Sequence, residues 1–112
     1  YAEALNEISY SSSGDAIKYL NEVRQRAGLQ LYTSEQITGQ DEFRNLIWNE
    51  RRYEFAFENQ RWFDLLRSGK AVEVMNKSSN GDFAIEPYQL LFPIPQNQID
   101  IAPDVMKQND NY

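Results

Sequence analysis

The 112-residue sequence contains no cysteine and no histidine. Disulfides, thiolate nucleophiles and zinc sites of the usual thiolate and imidazole kind are thereby excluded, as are Ser-His and Cys-His catalytic arrangements. No run of residues approaches the roughly 20 apolar positions that span a bilayer, so the segment is expected to be soluble by itself. Nor is there a basic stripe. The formal charge is -6 and the pI near 4.6, a balance that repels phosphate backbones, so no nucleic-acid partner is expected. The start lacks a basic stretch followed by an apolar one, so a signal peptide is expected to be absent or already removed. It opens on Tyr1-Ala2-Glu3-Ala4-Leu5-Asn6-Glu7, which reads as the middle of a helix. The chain is therefore expected to be an incomplete piece of a larger domain.

Helical spacing dominates what is present. Ala4, Leu5 and Ile8 share one face of a helix over residues 1–9, and Ser11-Ser12-Ser13-Gly14 breaks it. Asp15 is placed to cap a second helix to about Ala27, with Ile17, Leu20 and Val23 as its apolar stripe and Gly28 as its stop. Residues 1–29 are thus expected to form an antiparallel helical hairpin. Residues 30–40 read as a loop carrying Leu31, Tyr32 and Ile37. The longest helix is expected from Asp41 to Asn59, where Asp41 and Glu42 suit the positive end of the helix dipole. A shorter helix or turn follows from Gln60 to Ser68, then a short one from Lys70 to Asn76. Lys77 to Asp82 is a polar turn, and Tyr88 to Ile94 is apolar and extended, with Pro93 opposing a regular central strand. Residues 96–112 read as turns and coil. Phe83 and Tyr88 flank loops and are the aromatics most suited to exposure.

Chemistry concentrates between Asp41 and Arg67, where twelve apolar and eleven charged residues share 27 positions. Phe43, Leu46, Ile47, Glu50, Glu54, Phe57 and Arg61 lie on one helical face, and Trp48, Arg52, Phe55, Ala56 and Asn59 on another. Two apolar faces imply a helix packed on two sides. Charges inside such stripes need partners. Arg51 can meet Glu54, Glu58 can meet Arg61 and Asp64 can meet Arg67 at i+3. Arg52 has no local partner and is expected to reach a carboxylate or carbonyl elsewhere. Glu50, Arg51, Arg52, Glu54, Glu58, Arg61, Asp64 and Arg67 are therefore read as a structural polar network.

The competing reading makes a glycosidase acid and nucleophile of Glu50, Glu54 and Glu58. Positions four apart on a helix lie about 5 to 6 Å apart at Cβ, superficially like a retaining carboxylate pair. Neighbouring arginines would hold such carboxylates ionised, which spoils a general acid. No catalytic residue, metal ligand or cofactor is expected.

Residues 50–71, ERRYEFAFENQRWFDLLRSGKA, resemble the C-terminal signature of the SusD-like (RagB/SusD) family. Leu91-Phe92-Pro93-Ile94-Pro95 is similar to that family's later Pro-Ile-Pro turn, and Gln108-Asn109 with Tyr112 to its usual chain end. Residues 2–7 and 19–29 resemble its preceding helical pair. Two departures stand out. Asn59-Gln60 occupies a place where Gly-His is frequent, and Asp110-Asn111 one where Pro-Gly is. The resemblance implies an all-α superhelix of tetratricopeptide-like helix pairs with an irregular C-terminal tail, residues 41–112 being the SusD-like C-terminal segment. It further implies a glycan- or nutrient-binding lipoprotein of the Bacteroidetes outer membrane, anchored by a lipid outside these residues. Such a protein captures oligosaccharides beside a SusC-like TonB-dependent transporter. No ligand residue can be carried over, because many of the family's ligand contacts lie upstream. The alternative is a helical-repeat module that binds only protein.

Overall fold

A computed structural model describes residues 1–11, 14–80, 82 and 84–112. Phe83, Ser12 and Ser13 lie outside the described residues, so the expectations placed on them have no structural counterpart. Every regular element among the described residues is helical. The helices are α1 (Ala2–Ile8), α2 (Asp15–Arg26), α3 (Gln40–Glu54), α4 (Arg61–Arg67), α5 (Ala71–Ser78) and α6 (Gln96–Ile101), with single 3-10 turns at Ser34–Gln36 and Pro87–Leu90. The chain divides into two compact units, Tyr1–Arg61 and Trp62–Tyr112, so α3 groups with the helical pair that precedes it.

In the first unit the apolar stripe of α2 and one face of α3 meet. Ala16, Ile17, Leu20, Ile37, Phe43 and Ile47 form one buried cluster, with Leu5, Tyr10, Tyr32 and Leu46 packed around it. Ile37 belongs to the connecting loop, and its burial draws that loop onto the helices. Polar contacts fix the helix directions. Glu3 accepts from Trp48 and Glu7 from Arg44, so partners step in opposite senses and α1 runs antiparallel to α3. Arg24 meets Glu50 and Arg26 meets Glu54, steps in the same sense, so α2 and α3 run parallel. Asn6 is fully buried where α1 meets the start of α3. Its amide donates to the Gln40 carbonyl at 3.3 Å, while the Gln40 amide donates back to the Asn6 carbonyl at 2.6 Å.

Gly28 and Gly69 stop α2 and α4 in the same way. Each sits at φ 69°, the left-handed region that glycine enters without a Cβ penalty. Around Gly28 the Leu29 N–H reaches the Arg24 carbonyl at 2.9 Å and the Gly28 N–H reaches that of Gln25 at 3.0 Å. Lys70 and Gly69 repeat the pattern onto Leu65 and Leu66, each at 3.0 Å. Both are Schellman closures that satisfy terminal carbonyls.

Several boundaries differ from the sequence-based expectation. Asp15 is the first helical residue of α2, and Gly14 occupies the cap position. The long helix ends at Glu54, five residues before Asn59, because Phe57 (φ 68°) and Asn59 (φ 59°) turn left-handed. Apolar spacing runs on through this break and does not report it. Asn59 tolerates the left-handed region, and it stands where the family pattern often has glycine. Asn111, the other departure, sits at φ 69°.

The expected extended stretch at Tyr88 is instead a 3-10 turn over Pro87–Leu90. Pro87 presets φ, and the Glu86 N–H donates to the Gln89 side chain at 2.7 Å. The tail expected as coil contains α6, which begins directly after Pro95 and is braced by Gln96 donating to Asp100 at 2.8 Å.

The second unit is held by side chains that bind backbone as a strand would. Asn76 accepts from the Ile85 N–H at 2.7 Å and donates to its carbonyl at 3.0 Å. Gln108 does the same to Ile94, at 2.8 and 2.9 Å. Asn109 donates to the Phe92 carbonyl and the Tyr112 hydroxyl to that of Leu91, both at 2.8 Å. Tyr88 is half-buried, edge-on to Tyr112 with ring centroids 5.2 Å apart. No helix among the described residues is long and apolar enough to cross a membrane.

Candidate functional site

Glu50 and Glu54 are one helical turn apart on α3 and face α2. Arg24 stands in the last turn of α2, where a cation also complements the helix dipole. Its guanidinium is held on three sides. One N–H donates to Glu50 Oε2 at 2.6 Å, Nε donates to the Gln30 carbonyl at 2.7 Å, and the plane lies 4.1 Å from the centroid of the Tyr32 ring. Tyr32 is itself fixed by Asn21, which donates to its carbonyl at 2.8 Å and accepts from its N–H at 2.9 Å. The side chains of Arg24 and Glu50 retain 15% and 9% of their exposure, so this is a largely desolvated pair. Arg26 and Glu54 form a second, more open pair at the end of the same face.

A third cluster joins α1 to α3. Arg44 donates to both oxygens of Glu7, at 2.6 and 2.7 Å, and also pairs with Asp41. The hydrogen bonds from Arg44 hold the Glu7 carboxyl below the ordinary carboxylate range, and Glu7 in turn raises the Arg44 value. Glu42 is lowered by the Thr38 hydroxyl, and next by the Thr38 N–H. These bonds are 2.6 and 2.7 Å long and tie the start of α3 to the loop before it.

Of the residues assigned to a polar network, Glu50, Glu54, Asp64 and Arg67 have ion-pair partners. Asp64 accepts from Arg67 Nε at 2.8 Å within α4. Glu54 takes Arg26 in place of Arg51, whose guanidinium lies 4.9 Å from the Phe55 ring centroid. The expected Glu58–Arg61 pair is not formed among the described residues, and Arg52 is exposed with no carboxylate partner there. The left-handed turn at Phe57 and Asn59 separates Glu58 from the helix that carries Arg61, so the i+3 spacing no longer places them on one face. Arg24, Arg26, Glu7 and Arg44 were missed because their partners lie 26 to 37 residues away. Only the placement of the helices creates those pairs.

The walls of α1, α2 and α3 enclose an open cleft of about 480 Å³. Leu20, Val23, Ile47 and Phe55 contribute apolar surface, and Glu22, Arg26, Glu50 and Glu54 contribute charge. Tyr1 and Tyr19 also line it, edge to face at 4.8 Å. The two carboxylates that resemble a glycosidase pair therefore do border a cavity. Each, however, accepts from a guanidinium, Glu50 from Arg24 and Glu54 from Arg26. No group of three or more Asp or Glu among the described residues is placed to hold a metal ion.

These features define a helical scaffold, with helices joined by cross-helix ion pairs and an irregular end stitched by side-chain amides. The chain belongs to the SusD family, whose profile matches residues 1–112. It is 38% identical to SusD-like protein P2 of Formosa agariphila across 99% of this chain and 23% of that one. SusD-like protein P25 of the same organism is 31% identical across 96% of this chain and 21% of its own length. Among solved structures, surface glycan-binding protein A from Bacteroides thetaiotaomicron matches 99% of this chain with 22% of its own, at a TM-score of 0.74 and 35% identity. A SusD homolog from the same organism matches 100% of this chain with 25% of its own, at a TM-score of 0.78 and 30% identity. The chain thus spans about a quarter or less of the length of these relatives.

Proposed function

We propose that this chain is part of a cell-surface protein that binds oligosaccharides, lipid-anchored at an outer membrane, which passes its ligand to a TonB-dependent transporter. The observation that carries the reading is the SusD family match along all 112 residues, together with a solved relative described as a surface glycan-binding protein. The engagement of Glu50 by Arg24 and of Glu54 by Arg26 supports binding over cleavage at those two carboxylates. The segment's own role is structural. The pairs of Glu50 with Arg24, Glu54 with Arg26 and Asp64 with Arg67 brace helices of a scaffold on which the binding surface is displayed.

Affinity electrophoresis of the full-length protein through gels containing individual polysaccharides tests the first part. Retardation by at least one glycan is expected, and free migration through a broad panel would overturn it. Co-purification of a TonB-dependent transporter with the tagged, membrane-extracted protein tests the second.

A further inference from the structure

The polar turn after α5 carries a reactive sequence. Asn80 is the one asparagine of the chain that glycine follows. α5 ends at Ser78, and the Ser79 N–H closes it onto the Met75 carbonyl at 3.1 Å. The Asp82 N–H then reaches the Ser79 carbonyl at 3.0 Å, so the chain doubles back at once. Asn80 sits at φ 50°, a left-handed conformation that asparagine tolerates and that tight two-residue turns favour. It is exposed, and its side chain makes no hydrogen bond among the described residues. Other asparagine side chains are occupied, since Asn21 holds Tyr32, Asn76 holds Ile85 and Asn109 holds Phe92. Among the described residues, the bonds that shape the turn all come from residues 75–85, so its conformation is set locally.

We propose that Asn80 is a site of self-modification, at which the side-chain amide becomes a carboxylate without an enzyme. The backbone nitrogen of the following glycine attacks Asn80 Cγ. The new N–Cγ bond forms, the Cγ–Nδ2 bond breaks, and Nδ2 leaves as ammonia with the proton that the backbone nitrogen gives up. The product is a cyclic imide. Water adds to either ring carbonyl and opens it, leaving aspartate or isoaspartate at position 80. Water is the co-reactant, and nothing is oxidised or reduced. Glycine favours the attack because no Cβ crowds its nitrogen. Either product places a new negative charge just beyond the C-terminal end of α5, where the helix dipole disfavours one. Isoaspartate also lengthens the backbone across the turn. This chemistry is local and does not depend on the glycan reading, which can fail or hold separately.

Peptide mapping of the full-length protein tests it. Trypsin cuts after Lys77 and Lys107, so Asn80 and Asn97 fall in one peptide, Ser78–Lys107. Asn97 is also exposed, but the N–H that follows it donates to the Pro95 carbonyl at 2.9 Å. Attack there requires that bond to open first. The folded protein is held in warm, mildly alkaline buffer, digested briefly, and the acid at each position is read by mass spectrometry. Conversion at Asn80 is expected to run roughly tenfold or more faster than at Asn97. A smaller difference would overturn the proposal. The synthetic peptide Ser78–Lys107, held in the same buffer, gives the rate without the fold. Conversion at Asn80 in the folded protein is expected to stay within roughly tenfold of that rate, because no bond to its side chain must open. A slower native rate would overturn the proposal, since the folded turn would then protect the residue.

Discussion

Replacing Arg24 with methionine keeps much of the side-chain stem against Tyr32 but removes the charge that faces Glu50. The pair retains only 15% and 9% side-chain exposure, so its loss strands a carboxylate with little water. Breaking a buried pair in this way costs about 3 to 5 kcal/mol. The lost bond to the Gln30 carbonyl, 2.7 Å long, adds about 1 kcal/mol. The stack on Tyr32 adds about 0.5 to 1 kcal/mol more. Against these, Glu50 borders the open cleft, and water entering there relieves part of the penalty. The expected destabilisation is about 3 to 4 kcal/mol. Urea unfolding followed by the fluorescence of Trp48 and Trp62 measures it, and an unchanged slope against denaturant shows that stability alone has moved. The double variant Arg24→Met with Glu50→Leu removes both charges and is expected to recover to within about 1 kcal/mol of the parent. A single-variant loss below about 1 kcal/mol, the range of surface pairs, would refute the reasoning. A double variant as unstable as the single one would do the same.

Asn21→Ala removes both bonds that hold Tyr32 and is expected to cost about 2 kcal/mol by urea unfolding. Gln108→Ala frees the Ile94 N–H and carbonyl, and hydrogen exchange at that amide is expected to quicken at least tenfold, a change of about 1.4 kcal/mol in local opening. Phe57→Gly is expected to stabilise by about 1 kcal/mol, because the ring is fully exposed and the backbone sits at φ 68°. A marked loss of stability instead would mean that the ring is covered. Glu7 and Glu42 have lowered carboxyl values. Their stabilising contribution is therefore complete above the unfolded value near ~4.3 and disappears as pH falls through the lower folded values. The urea midpoint should decline below about pH 4.5, and removing Arg44 should shrink that decline.

The helices were legible where local chemistry sets them. The stripes of Ile17, Leu20, Phe43 and Ile47, and the glycine stops at Gly28 and Gly69, carry their own signals within a few residues. The break after Glu54 was not legible, because Glu50, Glu54 and Phe57 on one face and Arg52, Phe55 and Asn59 on the other continue helical spacings across it, and only Asn59 hints at a turn. The helix after Pro95 was hidden by a polar, amide-rich composition that also suits coil. Asp64–Arg67 lies within one helix and was anticipated from spacing. The pairs that shape the cleft were not, since Arg24 reaches Glu50 and Arg26 reaches Glu54 only after the loop at Ile37 has folded back. Local periodicity identifies which residues need partners, and long-range packing decides which partners they receive.

Binding without cleavage is tested most directly by incubating the full-length protein with neutral oligosaccharides while following heat of binding and release of reducing ends together. Heat with no new reducing ends is expected, because Glu50 and Glu54 are occupied by Arg24 and Arg26. Reducing ends that accumulate with the parent and vanish with Glu50→Gln or Glu54→Gln would contradict the account.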